Sequence, residues 1–177
     1  MARKSDVYER SKFLHQICVI PKRQIINWSF YCSITIVIIY SYFVFKNNVY
    51  RIRFFSFMNN NSMSFFSIAV SAISMIVAAI AIIIIIYNKK DLHLIINGDN
   101  HTFEGFIFPY KWGSVIWGVL ATISLLSNLM SLKVNNFVKD LYYLFWMFLL
   151  LYCTFYMIYI INEVVQHVML SAKLEDK

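Results

Sequence analysis

The sequence is poor in charge, in backbone breakers and in recognisable chemistry. Of 177 residues only 14% are Asp, Glu, Lys or Arg, and there are just 4 glycines, 2 prolines and 3 cysteines. The cysteines, Cys18, Cys32 and Cys153, are odd in number and share no paired spacing, so they support no disulfide framework. No Gly-x-Ser-x-Gly, phosphate-binding loop, His-Glu-x-x-His or intramembrane acid pair occurs. Neither a catalytic site nor a cofactor is expected. No Cys-x-x-Cys or His-x-x-x-His supports a metal site, although His15 and Cys18, three apart, are pieces from which zinc ligation could be built.

What is present is apolar. Hydrophobic residues make up 60% of the chain, 26 of them isoleucine, and the mean hydropathy is +0.62. A soluble domain has about 45–50% apolar residues, so the excess points to the bilayer. The dominance of Ile, Phe, Tyr, Asn and Lys, residues with AT-rich codons, points to a bacterial or mobile-element gene. The net charge of +7 does not imply nucleic-acid binding. The positive residues flank apolar segments, where anionic headgroups favour them.

A spanning helix needs roughly 20 mostly apolar residues. Residues 25–45, 64–87, 113–132 and 141–161 qualify, and none of these windows contains Asp, Glu, Lys or Arg. A charge at mid-bilayer costs about 2.5–3.5 kcal/mol or more, so the absence matters. Backbone groups in hydrocarbon must pair within the segment, so the spans are helices. The first span exceeds the roughly 7–15 residues of a signal-peptide core, and no small-x-small cleavage site follows it. The expected architecture is all-α, with four transmembrane helices.

Lys and Arg number eleven on the side of the two termini and five on the other. The positive-inside rule then places both termini in the cytoplasm. Residues 1–24 form a basic arm, either an interfacial helix or a solvated anchor. Residues 46–63 form an outer loop too apolar for plain solvent. Read as extended, the loop points Arg51 and Arg53 the same way, toward lipid headgroups. Residues 88–112 form an inner loop with strand-like runs around the turn Asn97–Asn100, which predicts a small β-hairpin. A lone hairpin is marginal in water. The hairpin, with Asn97, Gly98, Phe103 and Glu104, is therefore a candidate docking point for a cytosolic protein. A short outer loop covers 133–140, and the last helix runs on to 166 before a tail at 167–177. On it, Glu163 and His167 share a face at i, i+4 and join the docking candidates, or simply mark a helix leaving the bilayer.

In the second span Ser67, Ser71, Ser74, Ala78 and Ala81 follow steps of 4, 3, 4 and 3. That spacing lines one helix face as a left-handed packing seam. Small residues mark contact faces in lipid. Three readings stand: packing within the chain, a subunit interface, or a pore lining. Gly118 and Ala121, with Ser114 and Ser124, repeat the pattern in the third span. Ala69, Ala72 and Ala79 make another side of the second span small, which favours a homo-oligomer.

Two pieces, Arg10-x4-His15 and Asn162-x4-His167, are similar to the Arg-x4-His signature of HEPN ribonucleases, but that family is soluble and these copies flank membrane spans. The whole layout resembles small four-helix inner-membrane proteins of bacterial anti-phage systems, the Kiwa membrane subunit and RexB-type exclusion proteins. It shares with them a basic arm, a small-residue second span ending "IIIIIYNKK", an inner loop and two further spans. The resemblance implies oligomerisation, sensing of membrane disturbance during infection, and a cytoplasmic partner. The other classes that fit are an immunity protein against a pore-forming bacteriocin and a depolarising channel.

Overall fold

The computed structural model describes residues 22–87, 102–129 and 136–175. Among them every regular element is helical. A single 3-10 turn, Lys22–Gln24, precedes α1 (Trp28–Lys46), α2 (Asn48–Asn60), α3 (Ser62–Ile86), α4 (Thr102–Leu129) and α5 (Asn136–Glu175). Helices α1, α3, α4 and α5 are each long and apolar enough to cross a membrane. The chain is a multi-pass membrane protein. At 1.5 Å per residue α1 is about 28 Å long, close to the hydrocarbon thickness of about 30 Å. The 40 residues of α5 reach about 60 Å, so α5 must extend well beyond the bilayer.

Helices α3, α4 and α5 form the core. Their buried residues keep one rhythm: Phe65, Ala69, Ala72, Ile76 and Ile83 on α3, Tyr110, Gly113, Trp117, Leu120 and Ser124 on α4, and Trp146, Leu149, Cys153, Tyr156 and Ile160 on α5. Steps of 3 and 4 along all three helices describe left-handed packing at a shallow crossing angle. Between α3 and α4, the most extensive contact among the described helices, small side chains let the backbones approach. Gly113 sits at the junction of all three helices. A Cβ built there would lie 2.5 Å from Ile160 Cδ1, 3.2 Å from Ile76 Cδ1 and 3.6 Å from Tyr156 Cε1.

Helix α1 stands outside this trio. It packs along α5 and makes no extended contact with α3 or α4. Its buried Ser29 and Ser33 face inward one turn apart, and Ser33 Oγ donates to Ser29 O at 2.6 Å. Around them Phe30 meets Phe148 and Tyr152 edge-on, at centroid distances of 5.6 and 6.0 Å.

Two expectations are corrected. The proposed hairpin is not formed. Its second strand is the start of α4, so Phe103 and Glu104 are helical, while Asn97 and Gly98 lie outside the described residues. An isolated hairpin leaves both outer edges unpaired, whereas a helix pairs its own backbone and buries Phe108 and Tyr110 against the core. Pro109 does not stop this helix. It lacks the N–H that would bond the Gly105 carbonyl four residues back, yet the helix runs through it. The outer loop, in turn, is helix α2 over most of its length. Asn47 separates α1 from α2 in an extended conformation, and its Oδ1 accepts from Val49 N at 2.9 Å, capping α2. A helix turns Arg51 and Arg53 about 200° apart and so removes their shared direction.

The glycines of α4 give a direct test of this packing. Gly118 has nothing within 4 Å of an added Cβ. Gly118→Ala is expected to be neutral or to stabilise by up to about 1 kcal/mol, because alanine is the better helix former. Gly113→Leu overpacks the junction and should cost about 1–3 kcal/mol. Thermal unfolding of both variants in detergent, followed by circular dichroism, checks the contrast.

Candidate functional site

The small-residue seam lies on the opposite side of α3 from the core. Ser67, Ser71, Ser74, Ala78 and Ala81 are all exposed, and the alanines that meet α4 and α5 are Ala69 and Ala72. The two rows share the same 3 and 4 steps and differ only by two residues in phase. Ser71 Oγ donates to Ser67 O at 2.9 Å and Ser74 Oγ to Val70 O at 3.1 Å. The serines therefore satisfy themselves within the helix and need no partner to remain in hydrocarbon. On α4, Ala121 and Ser124 are buried, whereas Gly118 opens onto free space. The glycine that matters to packing is Gly113, which the small-residue pattern did not single out.

Beside the seam runs a cleft of about 520 Å³ between α3 and α5, lined by Ser67, Ser71, Met75, Thr154 and Ile158. Trp117 also lines it, and its buried indole N–H has no acceptor among the described residues. The apolar surface continues along α5 through Ile158, Ile161, Val165 and Val168, all exposed and again spaced 3, 4 and 3. If the hydrocarbon segment ends near Ile161, Val165 and Val168 stand in water.

At the end of the bundle where α1 begins, one side chain ties three elements. Tyr152 Oη accepts from Trp112 Nε1 at 2.8 Å and donates to Ile25 O at 2.8 Å. It joins α5 to α4 and to the turn that leads into α1. About four turns further along α5, His167 lies between Tyr87, whose Oη is 3.2 Å from Nδ1, and Phe106, with ring centroids 4.6 Å apart. Burial holds the imidazole below its ordinary pKa, and the Glu163 carboxylate one turn earlier partly offsets this. These two docking candidates do share a site, but His167 caps a packed aromatic cluster and is half-buried.

At the other end Arg51 is fully engaged. Its Nη2 is 2.8 Å from Asp140 Oδ1, its Nε donates to the same oxygen at 2.9 Å, and its guanidinium lies over Phe55 at 5.6 Å. Phe55 stacks on Tyr143 at 4.6 Å, and Tyr143 Oη donates to Asn59 Oδ1 at 2.8 Å. Helix α2 is in this way clamped to the start of α5. Arg53 takes no part and remains exposed. No group of three or more His, Cys, Asp or Glu gathers among the described residues. His15 and Cys18 lie outside them. Cys32 and Cys153 are free thiols, the first exposed and the second buried.

No family model, curated protein or solved structure matches the chain.

Interhelical hydrogen bonds in membranes contribute about 0.6 kcal/mol on average, and about 1.7 at most. Tyr152→Phe removes two at once while keeping the ring. A loss of about 1–2 kcal/mol is expected, read from thermal unfolding in detergent, with a change in the Trp emission as the Trp112 indole loses its acceptor.

Proposed function

We propose that this chain is a non-enzymatic, oligomeric membrane subunit that assembles through the exposed face of α3 and the adjoining apolar face of α5. The observation that carries this reading is the outward seam Ser67, Ser71, Ser74, Ala78 and Ala81 beside the 520 Å³ cleft. Hydrophobicity alone gives helices in lipid no reason to associate. A row of small residues at 3 and 4 spacing gives one, because it lets a second backbone come close. The apolar row of α5 extends the same face past the hydrocarbon, where lipid no longer covers it. The serines offer no charged ring, so a water-filled pore has little to select with.

In this reading the membrane is the bacterial inner membrane and both termini are cytoplasmic, as the bias of eleven against five Lys and Arg supports. Helix α2 then faces outward, where it meets disturbance of the envelope. The projecting end of α5, with Glu163 and His167, faces a cytosolic protein partner. The place in anti-phage defence rests on the layout resemblance.

Cross-linking tests the assembly. In a background lacking the native cysteines, Ser74→Cys should form a disulfide-linked dimer in native membranes, whereas Ile38→Cys on exposed α1 should not. Ser71→Phe in the Ser74→Cys chain should reduce the dimer several-fold. Equal cross-linking at both positions sinks the assembly. Phage plating on cells carrying the chain with its neighbouring genes tests the role. Protection against a pore-forming bacteriocin, with no effect on phage, would make it an immunity protein. Conductance in planar bilayers that changes with Ser71 or Ser74 would make it a channel.

A further inference from the structure

The hinge at Asn47 folds α2 back on α1 and leaves a second cleft, of about 470 Å³, between the last turns of one helix and the first turns of the other. Its walls are Tyr40, Phe43 and Val44 from α1 and Tyr50, Arg53, Phe54 and Phe57 from α2. The steps of 3 and 1 on α1, and of 3, 1 and 3 on α2, put each set on one helix face. Tyr40 and Phe54 meet edge-on at 5.5 Å between centroids and close the inner end. The volume is within the roughly 300–1,000 Å³ of small-molecule sites.

Depth and charge identify the occupant. Helix α1 spends its 19 residues crossing the hydrocarbon, so its end at Lys46 and α2 reach headgroup level while Tyr40 and Phe43 lie at the depth of the acyl chains. The cleft is almost wholly aromatic and aliphatic, with one cation. Arg51 is neutralised by Asp140, but Arg53 has no ion partner among the described residues. A charge left unpaired beside an apolar slot suits a ligand with an anionic head and a hydrocarbon chain. The rings could also cage an ammonium, but Arg53 in the same wall repels a cation. A headgroup of net negative charge is favoured over one carrying its own ammonium.

We propose that the α1–α2 cleft is a binding site for a single anionic phospholipid of the phosphatidylglycerol class, with its phosphate on Arg53 and its acyl chain along Tyr40, Phe43 and Phe57. The site stands independently of the assembly face, which lies on α3 and α5.

Native mass spectrometry of the full-length protein in mild detergent tests it, with phosphatidylglycerol and phosphatidylethanolamine of the same chains as probes. The wild type should retain phosphatidylglycerol about fivefold in preference, the ratio expected for one added basic contact. Arg53→Gln should abolish the preference, and Arg53→Lys should keep most of it. Phe43→Ala with Phe57→Ala should weaken both lipids. Arg53 is exposed, so Arg53→Gln should leave the lipid-free melting curve unchanged. Unchanged retention in Arg53→Gln, or equal retention of the two lipids by the wild type, overturns the proposal. Displacement by glycerol phosphate at the same concentration as the lipid also overturns it, because a small anion site needs no cleft. The same spectra count subunits, so a failure of assembly is seen separately.

Discussion

Three helices meet at a residue without a side chain, and that close approach governs the rest of the structure. With Gly113 at the junction, Ile76, Tyr156 and Ile160 fill the space a larger residue would claim. Ala69 and Ala72 extend the close contact along α3. Fit of this kind replaces the hydrophobic drive that a soluble core would use, since lipid tails are as apolar as leucine. It also fixes the rotation of α3 about its axis. Once Ala69 and Ala72 face inward, the serine row two residues out of phase must face outward. The core and the proposed assembly face are two consequences of one choice of phase.

The four spans were legible in the sequence because the bilayer imposes them. Length, lack of charge and the need to pair every backbone group leave one solution. Phase was not legible. Both small faces of α3 carry identical 3 and 4 spacing, and spacing says nothing about which one finds a partner. What distinguishes them is the opposite wall, Gly113 and the rings of α5, which is a property of other segments. The rows did carry a hint: a helical serine can donate to the carbonyl four residues back, as Ser71 and Ser74 do, and so tolerate lipid, whereas alanines offer only shape. The inner loop failed for a different reason. Short aromatic runs such as "HTFEGFIF" fit a strand and a helix equally well, and burial against α3 and α5 decided for helix. The outer loop, too apolar for plain solvent, reads as an extended connector, yet Asn47 caps it into a helix that separates Arg51 from Arg53.

Charge is sparse enough in this chain for each placement to have a consequence. Arg51 and Asp140 neutralise one another where α2 meets α5, and Phe55, Tyr143 and Asn59 complete the clamp. A partly buried pair of this kind specifies geometry more than it adds stability, because desolvation offsets much of its attraction. With Arg51 consumed, Arg53 is left as the exposed cation on α2. The two arginines, equivalent by sequence spacing, have separate tasks: one holds the helix in place and the other presents charge at the membrane surface.

Helix α5 is the one element that touches every part of this arrangement. At one end it carries Asp140 and Tyr143 against α2, along its middle Tyr152 against Trp112 and Tyr156 and Ile160 against Gly113, and toward its other end His167 against Tyr87. A continuous 40-residue helix transmits displacement along its axis with little loss, because close-packed interfaces do not deform gradually. In the proposed sensing role, movement of α2 in the headgroup layer therefore has a direct mechanical route. It runs from the Arg51–Asp140 clamp, past the glycine junction, to the aromatic cluster that His167 closes. Helix α1 offers no such route, since it makes no extended contact with α3 or α4. Coupling across the bilayer has α5 and, directly after α2, α3 to run through, and the two meet at Gly113, whose added Cβ would press on Ile76 of α3 and Ile160 of α5.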